Sequence, residues 1–177
     1  MMTPLFDVTL VNDQDVVIAR QRARQLAGLL GFDQHDQVRI ATAVSELSRE
    51  GVNHGGETRV EFALDLSEDR MFLMRVHMKV PATEPQCGRG SGHEDRAGDL
   101  QRSEGVIAAR RMLPLLETHT EGRATCLVFG RKLPAGCEVL DPSRARELSE
   151  ELNRAHPKEL HQEYQAQNQE LSRRCRS

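Results

Sequence analysis

Residues 38–56, VRIATAVSELSREGVNHGG, constrain this chain more than any other stretch. Ile40, Val44, Leu47 and Gly51 recur at offsets of four and three, the spacing of a buried helical stripe. Glu46, Glu50 and Asn53 fall on another side of the same helix. A helix that turns two carboxylates and an amide toward one place can line a cleft, or it can simply meet solvent there. The pair Gly55-Gly56 supplies the backbone freedom that ends it.

At 177 residues the chain suits one domain with an appendage. Hydrophobic residues make up 38%, with no Trp, one Tyr and five Phe, so the core is expected to be mainly aliphatic. The 24 basic and 27 acidic residues nearly balance, which argues against nucleic acid or an anionic membrane as the main partner. Scarce aromatics also remove the stacking platforms of single-strand binders. The four cysteines show no CxxC pair and read as reduced thiols. No basic-then-apolar leader opens the sequence, and no apolar run approaches the roughly eighteen residues of a membrane span. A soluble, cytoplasmic protein is expected.

Phe6 to Val11 reads as an edge strand, and Asn12 or Asp13 can cap a helix from about Gln14 to Leu30, ended by Gly31. Asp33 or Asp36 caps the central helix. Two alternating stretches, residues 58–66 and 71–80, form a hairpin about Ser67-Glu68-Asp69-Arg70. Residues 81–103 are rich in Gly, Pro and charge, and suit either a lid over a site or a disordered insertion. A helix starts at Ser103-Glu104 and runs through Ile107 and Met112 toward Leu116, with Pro114 set to kink or end it. Residues 124–129 form a last strand, 135–142 a linker, and 143–177 a polar helix. That helix is either a coiled-coil stalk or a solvated tail. The order β-α-α-β-β-lid-α-β-α predicts a two-layer α/β sandwich, a mixed, mostly antiparallel sheet with helices on one face. No GxGxxG follows the first strand and no GxxxxGK[ST] occurs, which excludes Rossmann and Walker phosphate sites.

This order, with TAVSELSREGVNHGG at its centre, resembles the GHKL or Bergerat-fold ATPases, and within them the anti-sigma-factor serine kinases. The resemblance covers residues 6–133. It is carried by Thr42 to Arg49, by GVIAARRML at residues 105–113, and by the glycine turn Glu121-Gly122-Arg123 into the last strand. The resemblance implies that residues 1–134 form a histidine kinase-like ATPase domain, with Glu46 as the base acting on water or a protein hydroxyl. It implies ATP and magnesium as cofactors if the site still functions.

Position by position, the chain departs from the family pattern. Where the family has the Asn that holds magnesium, this chain has Glu50. A carboxylate can ligate magnesium, but it adds charge beside Glu46, and two carboxylates one turn apart repel by a few tenths of a kcal/mol. Asn53 lies about 4.5 Å further along the helix axis. The adenine-binding Asp of the D-x-G-x-G loop aligns with Val80, and its glycines with Ala82 and Glu84. Of the phosphate-loop glycines only Gly105 remains, with Glu104 where phosphate should meet the helix N-terminus. The reading is a degenerate member that regulates by protein contact, with a sigma-factor, anti-sigma or multi-domain sensor partner. The alternative is an active serine/threonine kinase with Glu50 on magnesium. The C-terminal helix offers a surface for self-association. His54 reads as a helix-end residue, His77 as a strand residue on the polar face, and Cys87 as an ordinary lid thiol.

Overall fold

A computed structural model describes residues 2–54, 56–79, 94–122, 124–137 and 142–154. Strand β1 (Met2–Leu10) leads into helices α1 (Asp13–Leu29) and α2 (Gln34–Asn53), then strands β2 (Glu57–Asp65) and β3 (Met71–Lys79). Helices α3 (Glu94–Arg102) and α4 (Glu104–Met112) precede strands β4 (Leu115–Glu121) and β5 (Ala124–Lys132), and α5 (Pro142–Arg154) follows. The sheet runs β1-β2-β3-β5-β4. The sheet and its helices form the expected two-layer α/β sandwich; the sheet, expected to be mostly antiparallel, is antiparallel at all four neighbouring pairs.

Local chemistry explains the helix ends. Asn12 accepts from the Gln14 and Asp15 backbone N–H groups, and the Asp15 carboxylate accepts from the Asn12 N–H, a reciprocal cap on α1. Gly31 takes φ +82°, a conformation that costs glycine little, and turns the chain toward α2. Of the two caps expected for α2, Asp33 serves: its carboxylate accepts from Asp36 N–H at 2.7 Å. Asp36 instead pairs with Arg131 of β5 at 2.6 Å, tying the start of α2 to the sheet. At the β2–β3 turn, the Ser67 N–H donates to Asp65 and holds that carboxyl below its usual range.

The predicted stripe of α2 is the core. Ile40, Val44, Leu47 and Gly51 are all buried, joined by Val16, Leu26 and Leu30 of α1 and its C-cap, and by alternate residues of the strands. The core is mainly aliphatic, as composition suggests, with four phenylalanines in it. Phe72 stacks on Phe62 with ring centres 6.1 Å apart and meets Phe32 at 6.2 Å, and Phe129 is fully buried. The few aromatics are concentrated where each buries most area.

Three elements differ from the sequence reading. The helix expected to reach Leu116 ends at Met112, before Pro114, and Leu115–Glu121 is an edge strand. Helix α3 occupies the end of the stretch read as lid or insertion, with Leu100 buried in the core. Residues 80–93 lie outside the described residues. Helix α5 packs against β1 and buries Ala145, Leu148 and Leu152 in the same core, so this part of the polar helix belongs to the domain. Its continuation at residues 155–177 lies outside the described residues.

Candidate functional site

The side of α2 that carries Glu46 and Glu50 faces α4. Ser103 caps α4, accepting from Val106 N–H at 3.4 Å, and Glu104 stands in its first turn. An acidic residue there compensates the helix dipole. Gly105, the next residue, is buried against α2. A Cβ at Gly105 would lie 2.7 Å from Glu50 Oε2, 2.9 Å from the Glu46 carbonyl oxygen and 3.3 Å from Glu50 Cβ. The two helices therefore touch backbone to backbone at this point, and only glycine fits.

Both carboxylates have partners on their own helix. Glu46 Oε1 accepts from Arg49 Nη1 at 3.0 Å, and its side chain is 32% exposed. Glu50 is 17% exposed, with Oε1 3.5 Å from His54 Nδ1. His54 Nδ1 also lies 2.7 Å from the Glu50 carbonyl oxygen, which can only accept, so this nitrogen carries a proton. His54 is thereby a helix-end residue, as its position suggested. Asn53 ends the helix and is exposed. Val80 and Ala82 lie outside the described residues. Of the six positions singled out in the sequence, the structure brings Glu46, Glu50 and Gly105 together and leaves Asn53 at the rim.

Beneath α2, the Ser45, Ser48 and Thr58 hydroxyls are buried without a hydrogen-bond partner among the described residues. Thr58 belongs to a second close approach: a Cβ at Gly51 would lie 2.4 Å from Thr58 Cγ2 and 2.6 Å from its Oγ1. Sequence reading placed Gly51 on the stripe correctly but gave no sign of its partner, because strand β2 reaches it only in the folded sheet.

Open clefts bounded by described residues include the following. One, of about 590 Å³, lies beside Asp33, Asp36 and Arg131. The other two, of about 660 and 870 Å³, lie on the open face of the sheet, away from α2. None is lined by Glu46 or Glu50. No described helix is long and apolar enough to cross a membrane.

No protein-family model matches the chain. Among curated proteins, it is similar to the serine/threonine-protein kinase RsbT of Bacillus subtilis (strain 168), with 42% identity over 53 residues. The match covers 30% of this chain and 40% of the relative, so the chain spans less than half the length of the protein it matches.

Proposed function

We propose that this protein is a regulator related to the anti-sigma-factor serine kinases, acting by protein contact with nucleotide binding weakened or lost. The partial similarity to a serine/threonine-protein kinase supports the kinase-like relation. The loss of nucleotide binding rests on the seam between α2 and α4. Gly105 is seated on the Glu46 carbonyl and the Glu50 side chain, which fills the space between α2 and α4 at this position with protein atoms. Glu46 and Glu50 at that seam are each engaged on their own helix, by Arg49 and His54, and Glu104 adds a third carboxylate in the first turn of α4. Glu104 already supplies the negative charge that the α4 N-terminus would otherwise offer to phosphate. A magnesium ion could be held by Glu50, but only by drawing its carboxylate away from His54 and from the packing against Gly105. These features support weak or absent binding of a magnesium–nucleotide complex.

The second reading is an active kinase with Glu46 as base. It is favoured by the identity to RsbT and by the accessibility of Glu46, whose pair with Arg49 is an exposed i,i+3 contact of the kind worth under about 1 kcal/mol. Incubation with labelled Mg-ATP and candidate protein substrates separates the two. The proposed function expects neither ADP nor phosphoprotein above a protein-free blank. Turnover that disappears in Glu46→Gln would overturn it in favour of the second reading.

A further inference from the structure

The open face of the sheet carries a row that the nucleotide-site reading does not use. In the strand register, His77 of β3 sits opposite Cys126 of β5, and Cys126 sits opposite His119 of β4. Directly paired residues of antiparallel strands point to the same face, with Cα atoms about 4.5–5.5 Å apart. Two imidazoles thus flank one thiol across three adjacent strands. The face is the open one, because the alternate residues Val76, Met78 and Leu127 point into the core. The two large clefts of this face have three lining residues in common, and they are His77, His119 and Cys126. The thiol therefore lies at the junction of two solvent-connected grooves, half-buried between its neighbours.

We propose that His77, Cys126 and His119 form a binding site for a borderline divalent cation, zinc above all. One thiolate and two imidazoles are a donor set suited to tetrahedral zinc, leaving the fourth position to water or to a partner's side chain from the grooves. In the structure each ring is turned to a carboxylate instead. His77 Nε2 is 3.3 Å from Glu61 and His119 Nε2 is 2.7 Å from Glu117. Arg75, 3.8 Å from the same Glu61 oxygen, keeps that carboxylate from being an unbalanced charge. The three donor atoms are not gathered in the structure, so binding requires both rings to turn from Glu61 and Glu117 and lean inward over Cys126. Their exposures of 45% and 65% leave them room to turn. The thiol loses its proton to solvent as the metal–sulfur bond forms, so no oxidant or reductant is involved. The site lies on the sheet face opposite α2, so its success or failure is independent of the proposed function.

Cobalt(II) titration of the full chain tests the proposal. Tetrahedral thiolate ligation gives a near-ultraviolet sulfur-to-cobalt band and intense visible transitions, both bleached by zinc. The site predicts one such cobalt per chain. The band is lost in Cys126→Ser, kept in Cys87→Ser/Cys175→Ser, and needs at least about tenfold more cobalt in His77→Gln and in His119→Gln. Far-ultraviolet circular dichroism of each variant checks that the substitutions leave the fold unchanged. No band in the wild type, a band that survives Cys126→Ser, or one indifferent to both histidine variants overturns the site.

Discussion

Replacing Gly51 by valine is expected to destabilise the protein by about 3 kcal/mol, the upper part of the range for overpacking a core. The added Cβ alone would sit 2.4 Å from Thr58 Cγ2, far inside van der Waals contact. Thr58 cannot swing aside, because it is fully buried and its branched Cβ is held by strand β2. Valine gains some helix propensity over glycine, roughly 0.5 kcal/mol, which offsets only a small part. The cost should be recoverable from the other side. Thr58→Ala removes the clashing methyl together with a hydroxyl that has no partner among the described residues. Denaturant unfolding of Gly51→Val, Thr58→Ala and the double variant should give a favourable coupling above about 1 kcal/mol. Additive effects would show that Gly51 is not needed for this helix–strand contact.

The second large effect concerns Gly105. Gly105→Val is expected to cost about 2–3 kcal/mol in the absence of any nucleotide. Glu50 Oε2 could rotate away from a new side chain, but the Glu46 carbonyl oxygen, 2.9 Å from the would-be Cβ, belongs to the backbone of α2 and cannot. Helix α4 must lift instead, and Val106 and Ala109, both fully buried, lose their packing. Thermal unfolding of the nucleotide-free protein measures this. A variant as stable as the wild type would mean that the glycine serves a ligand rather than the contact between helices.

These two glycines mark how far the sequence could be read. The central helix and its buried stripe were legible, because period is a local property: Ile40, Val44 and Leu47 need only their neighbours to declare themselves, whereas the choice between Asp33 and Asp36 as cap came from the fold. The reach of each glycine was not, because its partner is distant in sequence and the signal is a missing side chain. Strand β4 was missed for a related reason. LETHTE at the sheet edge has polar residues on both faces, so nothing alternates, and leucines at its start prolong the helical pattern before it. Without β4, His119 could not be set beside Cys126, and His77 looked like a strand residue with no neighbour of interest. Glu46 and Glu50 were found by their spacing. That Glu50 packs on Gly105, and that Arg49 and His54 engage the two carboxylates, required coordinates.

In the proposed function a kinase-like scaffold is kept while Glu50 and Val80 stand where magnesium and adenine would be held. Calorimetric titration of Mg-ATP into the wild type and into Val80→Asp/Glu50→Asn tests it most directly. No measurable binding is expected to the wild type and binding to the double variant, in which one added carboxylate can accept from the adenine amino group and one removed carboxylate relieves the repulsion beside Glu46. Micromolar binding of Mg-ATP to the wild type would contradict it.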